Sequence, residues 1–149
     1  METTKQFTIT RELDAPREAV WRAWTDPAIA AQWWHPHEVT LKDGARIDLR
    51  VGGSYAYTMV IPDGTEYPTG GEYLEVREPE RLRFTWADSG DDQREAPVIT
   101  VDLAELPGDR CEMTFHLLGV DDDRPSEHGV YEGWSEAFEE LDIALVAVP

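Results

Sequence analysis

Between Asp14 and Trp34 the chain reads Asp-Ala-Pro-Arg-Glu-Ala-Val-Trp-Arg-Ala-Trp-Thr-Asp-Pro-Ala-Ile-Ala-Ala-Gln-Trp-Trp, two helix starts and a tandem tryptophan packed into one short segment. Asp14 is placed to cap a helix whose first turn holds Pro16, where the missing N–H costs nothing. Asp26-Pro27 repeats the signal, ending that helix and opening another. The first helix carries Val20, Trp21 and Trp24 on one side, and the second is expected to end in Trp33 and Trp34, just before the breaker His35-Pro36. Two short helices with this much aromatic surface need a sheet to lie on.

Such a sheet is legible next. Alternating segments near 38–42 running into 45–50, then 54–61, 69–76, 81–87, 97–106 and 110–118, follow an earlier one at 6–13. Turn chemistry separates them at Asp43-Gly44, Gly52-Gly53, Pro62-Asp-Gly64, Glu78-Pro79, the stretch from Ala87 to Pro97, and Pro107-Gly-Asp109. This predicts an antiparallel meander after a leading strand. From Ser126 to Val148 the apolar residues Val130, Trp134, Phe138, Leu141, Leu145 and Val148 recur at three- and four-residue spacings, which predicts a long amphipathic helix.

The order of elements and six local strings carry a resemblance. The strings are DAPREAVWRAWTDP, WWHP, DLRVGG, MVIPDG, YLEVREPERLRFTW and GWSEAFEEL. The chain is similar, over essentially its whole length, to the homologues of the activator of heat-shock protein 90 ATPase, within the START-like (SRPBCC, Bet v 1-like) superfamily. The resemblance implies an α+β helix-grip fold in one domain, 1–149. A curved antiparallel sheet of six or seven strands would carry two short helices after its first strand. A long C-terminal helix would cross the concave face and leave a cavity beneath it.

Composition limits what such a domain can do. There are 31 acidic and 13 basic side chains, a net charge of −18, so a phosphate backbone or an acidic membrane would be repelled; no nucleic acid and no membrane partner is expected. The acids gather at Asp88 to Glu95, at Asp121-Asp-Asp123 and on the outer face of the last helix, where a solvated surface accounts for them. Cys111 is the one cysteine, so no internal disulfide can form, in keeping with a reducing cytoplasm. No apolar run reaches membrane-spanning length, and the start Met-Glu-Thr-Thr-Lys lacks the basic and apolar regions of a signal peptide. A cytoplasmic protein is expected. Arginine far outnumbers lysine and asparagine is absent, a usage expected of a GC-rich bacterial genome or, alternatively, of adaptation to salt.

Polar candidates for chemistry are sparse. His35 and His37 are separated by Pro36 and have no third ligand at a metal-binding spacing, so a capping or surface role is expected and no metal or other cofactor. His116 falls opposite Met113, Phe115 and Leu117 by strand parity and is read as a rim residue, whereas Cys111 reads as a buried inert thiol. Gly52-Gly53 and Gly70-Gly71 precede no helix and read as bends or bulges rather than phosphate loops. Gly133 is expected to let the last helix approach its neighbours. Asp48, Arg50 and Glu75 would supply polar groups to a cavity if they pointed inward, which parity alone leaves open.

Aromatic residues are the stronger lead. In the fold implied by the resemblance, Trp34, Tyr55, Tyr57, Met59, Tyr73, Trp86, Met113, Phe115, Trp134 and Phe138, with Phe84, lie on elements facing the space between sheet and helix. They are the candidate ligand-binding set, apolar walls with tyrosine hydroxyls as anchors. The expected function is binding of a small hydrophobic, aromatic or acyl, molecule without catalysis. The resemblance also leaves an enzyme of the polyketide cyclase/dehydratase kind, using cavity acid–base groups, and a chaperone-regulating interaction domain. Relatives often pair, and the sheet has edges to cover, so a homodimer is also expected.

Overall fold

The computed structural model describes residues 6–88, 96–119 and 130–147. In chain order the elements are β1 (Gln6–Leu13), α1 (Arg17–Thr25), α2 (Pro27–Ala30), β2 (Thr40–Ile47), β3 (Ser54–Val60), β4 (Glu66–Arg77), β5 (Arg81–Thr85), β6 (Ala87–Asp88), β7 (Val98–Leu106), β8 (Arg110–Leu118) and α3 (Val130–Ala147). The strands run in the order β1-β8-β7-β5-β4-β3-β2, all antiparallel, with the two-residue β6 paired to β4 off this path. The leading strand therefore closes beside the last one, and the rest is the meander the turns predict.

Local differences from the sequence reading have simple causes. Asp43-Gly44 makes no turn. Both residues have positive φ, 60° and 75°, and they form an irregularity between Lys42 and Ala45 that lets β2 continue on the far side. Residues 48–50 fall outside the strand. Helix α1 is capped by Pro16, not Asp14. Pro16 keeps an extended backbone and no side chain caps the first turn, while Ala19 and Val20 donate to its carbonyl. Asp26 does cap α2, its carboxylate accepting from the Ala28 N–H at 2.9 Å, but this helix stops at Ala30 and turns carry the chain through Trp33 and Trp34. The expected start of the last helix at residues 126–129, its Val148, and the acidic runs at 89–95 and 121–123 lie outside the described residues.

Alternation places the core on one face of the sheet. Strand β8 buries Cys111, Met113, Phe115 and Leu117, β7 buries Ile99, Val101 and Leu103, and β3 buries Tyr55 and Tyr57. Helix α3 covers this face with Trp134, Ala137, Phe138, Leu141 and Ala144, while Leu145 is half-buried. The Phe115 ring sits 4.7 Å from Trp134 and 5.2 Å from Phe138, and Phe7 lies 5.2 Å from Tyr131. At the rim, Arg11 of β1 donates to the Asp142 carboxylate of α3.

Two glycine pairs allow the sheet to bend. A Cβ at Gly71 would overlap the Thr85 carbonyl, and one at Gly53 would overlap the Asp48 carbonyl, so backbone segments approach there more closely than any side chain permits. Among the described residues no helix is long and apolar enough to cross a membrane.

Candidate functional site

Where α1, α3 and the β3–β5 half of the sheet meet, seven aromatic side chains converge: Trp24 of α1, Trp34 after α2, Tyr55 and Tyr57 of β3, Phe84 of β5, Trp86 beyond it, and Trp134 of α3. Period two explains the strand members, since residues 55 and 57, and 84 and 86, point the same way. The rings touch in series. Trp34 lies 5.7 Å from Tyr55 and 5.2 Å from Tyr57, Tyr55 lies 5.2 Å from Phe84, and Trp134 lies 5.7 Å from Trp86 and 6.2 Å from Trp24. Tilted and edge-on arrangements at these separations are mutually attractive.

The space left between them is about 10 Å³, room for one water-sized sphere, and it is partly open to the outside. The rings thus fill the chamber as well as line it. Trp86 is half-buried, whereas every other lining ring is buried.

Within this apolar chamber most polar atoms are paired. Tyr55 Oη donates to the Thr85 carbonyl at 2.6 Å, Trp86 Nε1 donates to Tyr57 Oη at 3.1 Å, and Trp24 Nε1 faces the Met113 sulfur at 3.4 Å. Nearby, Trp33 Nε1 donates to the Ala23 carbonyl at 2.8 Å. Trp34 is the exception. Its side chain is only 6% exposed, and its indole N–H is buried with no hydrogen-bond partner among the described residues. Burial pushes the Tyr57 hydroxyl up to about 12, against a lowering hydrogen bond from Trp86. It raises the Tyr55 and Tyr73 hydroxyls as well. All three hydroxyls are neutral at physiological pH and keep their protons for donation.

The structure brings Trp34, Tyr55, Tyr57, Trp86 and Trp134 of the expected set together around this space, with Phe84. Tyr73, Met113, Phe115 and Phe138 are buried but pack behind it, and Met59 is half-buried on β3, opposite Leu41 and Tyr67, away from the chamber. Trp24 joins the site although the sequence marks it only as a buried helix position. Its spacing from Trp21 gives the buried side, but no local signal says which strand that side meets.

None of the polar candidates enters the chamber. Asp48 and Arg50 are exposed and pair with each other at 3.0 Å. Glu75 joins a surface network with Arg77 and Arg81 at 3.6 and 3.8 Å. His116 sits at the rim against the Gln6 side chain at 2.7 Å, and burial raises the Cys111 thiol to about 11, which keeps it protonated and inert. His35 bonds only backbone carbonyls. His37 reaches α3, where its Nδ1 lies 2.8 Å from Glu140 and its backbone N–H donates to Glu136 at 3.0 Å. Gly133 is not needed for the approach of α3 that was expected of it, since a Cβ there would lie 3.5 Å from Pro36, an ordinary contact. No group of three or more metal-ligating side chains exists among the described residues.

Roomier space lies outside. A groove of about 590 Å³ runs between α1 and the turn after β4, lined by Glu18, Trp21, Arg22, Leu49, Glu78 and Pro79 among others. It is open and mixed in polarity.

An antiparallel curved sheet gripped by a long C-terminal helix over an aromatic chamber defines a protein of the START-like, helix-grip class. The chain belongs to the Activator of Hsp90 ATPase homolog 1-like protein family, whose pattern matches residues 14–145. Among solved structures it is similar to a protein of Chromobacterium violaceum, 31% identical over 93% of this chain and 96% of that one, with a TM-score of 0.79. A protein of Arthrobacter aurescens is 30% identical over 97% and 88%, also with a TM-score of 0.79. The AHSA1 protein of Silicibacter pomeroyi is 25% identical over 95% and 98%, with a TM-score of 0.78. Comparison with curated proteins gives no match.

Proposed function

We propose that this domain binds a small hydrophobic molecule in the aromatic chamber between sheet and α3, without transforming it. The observation that carries this reading is the convergence of seven aromatic rings from five separate parts of the fold on one small space. Their chemistry favours binding over catalysis. The walls are tryptophan, tyrosine and phenylalanine, with no carboxylate or imidazole to move a proton near neutral pH, so the cyclase/dehydratase reading draws no support from them.

Binding requires the chamber to open. Trp86 is the ring suited to leave, being half-buried and tied inward by one hydrogen bond, to Tyr57. Swinging it outward would release a space of indole size. Burying about 300 Å² of ligand apolar surface is worth roughly 7 kcal/mol gross, from which ring displacement and immobilisation subtract, so affinities should be micromolar or weaker.

The test is thermal unfolding against a panel of neutral bicyclic aromatic compounds, for the parent and for Trp86→Ala. A saturable rise in Tm with some member of the panel is expected. No rise in either protein up to the solubility limits would overturn the reading and favour a role in protein interaction.

A further inference from the structure

All six tryptophans of the chain lie in or against the core described above, and among them Trp34 alone has a buried indole N–H with no hydrogen-bond partner among the described residues. Native proteins rarely leave such a donor orphaned, because a buried N–H without an acceptor costs about as much as a lost hydrogen bond. Trp34 is also a wall of the chamber. The donor therefore lies on a ring that a bound molecule would touch.

We propose that the chamber is selective for a neutral, planar, ring-sized molecule bearing one carbonyl-type oxygen, which accepts a hydrogen bond from the Trp34 indole N–H. This rests on the binding reading above and names the ligand chemistry for that same site. Neutrality follows from the walls. No lysine, arginine or histidine lines the chamber, and the protein carries a net charge of −18, so an anion entering it would lose its hydration without gaining a counter-ion. Planarity follows from the aromatic faces that would sandwich the ligand once Trp86 leaves. Tyr57 Oη only accepts from Trp86, so its own proton is not used by that bond, and once Trp86 moves the uncovered hydroxyl can donate to the same oxygen or to a further polar substituent. A hydrocarbon of the same shape would leave the Trp34 donor unserved. It would also expel any water bonded there without replacing the bond, so it should bind less well in either case.

The experiment is an NMR titration of ¹⁵N-labelled protein with three naphthalenes of matched size: 2-acetylnaphthalene, 2-isopropenylnaphthalene, in which a methylene replaces the carbonyl oxygen, and 2-naphthoate. The Trp34 indole signal is assigned by its loss in Trp34→Phe. The expected result is binding of the ketone about fivefold or more tightly than the alkene. The Trp34 indole proton should move downfield with the ketone only, and the naphthoate should bind weakest. Equal affinity for ketone and alkene, with the Trp34 proton showing no ketone-specific shift, would overturn the hydrogen-bond proposal while leaving chamber binding intact. Tightest binding by the naphthoate would overturn the neutral-ligand proposal. Failure of all three to shift the Trp34, Trp86 or Trp134 signals would overturn the chamber reading itself, and the selectivity with it. If Trp34→Phe folds poorly, the Trp34 indole signal is assigned on the parent protein by its through-space contacts to the Tyr55 and Tyr57 rings, so the proposal stays testable.

Discussion

Trp34 and Trp86 face the same small space, yet one is buried with an unserved donor and the other is half-exposed with its donor engaged. This asymmetry makes Trp86 the movable wall and Trp34 the fixed one. Replacing Trp86 with alanine should therefore help a ligand by removing the ring that must be displaced. We expect a larger ligand-induced rise in Tm for Trp86→Ala than for the parent with 2-acetylnaphthalene. Its cost in unliganded stability should fall below the roughly 3–5 kcal/mol of a fully buried Trp→Ala change. An equal or smaller ligand shift would mean that Trp86 is a contact rather than a gate. Strand alternation makes Tyr55, Tyr57, Phe84 and Trp86 readable in the sequence as inward-facing residues. It could not show that their rings meet and close the space, because that depends on rotamers and on distances between elements far apart in the chain. Met59 illustrates the limit. It shares the parity of Tyr55 and Tyr57 but lies toward the end of β3, away from the chamber.

Helix α3 closes the fold, and its two faces should respond very differently to truncation. Leu141 is fully buried and Leu141→Ala should cost about 2–5 kcal/mol in chemical denaturation, whereas Ile143→Ala, at a position 64% exposed, should stay within about 0.5 kcal/mol of the parent. Equal effects would mean that α3 is not seated on the sheet as described. The same helix holds the segment after α2 through His37. The hydrogen bond to Glu140 raises the His37 pKa above 6.5, opposed by desolvation and helped by the charges of Glu136, Glu139 and Glu140. A raised folded-state value means that the clasp stabilises fully below pH 6.5 and fades as pH climbs through the folded value. An NMR titration of the His37 ring should give a midpoint above 6.5 that falls back toward 6.5 in Glu140→Gln; an unchanged midpoint would remove Glu140 as the cause. The sequence makes α3 legible through its three- and four-residue spacing. It hides the clasp, because residues 37 and 140 are joined only by the docking of α3. The Asp43-Gly44 irregularity was hidden for a related reason, since a dipeptide with positive φ serves a turn or a bulge equally well, and only pairing with β3 decides between them.

At the scale of the whole molecule, one sheet, two short helices and one long helix surround a core that the ordered string of motifs already implied. The net charge of −18 acts on all of it. Self-repulsion between like charges weakens the compact state and is screened by salt, so Tm should rise between about 20 mM and 300 mM NaCl at pH 7. A flat or falling Tm would show that the acids are locally compensated. On the binding reading proposed above, the chamber is where this protein would meet its ligand. The most direct measurement is a crystal structure of the protein with 2-acetyl-6-bromonaphthalene, located by the anomalous signal of its bromine. The ligand is predicted to lie against Trp34 and Trp134, with its carbonyl oxygen on Trp34 Nε1 and the Trp86 ring turned out of the chamber. A bromine peak in the outer groove beside Trp21, Leu49 and Pro79, over a chamber still closed by Trp86, would contradict the account.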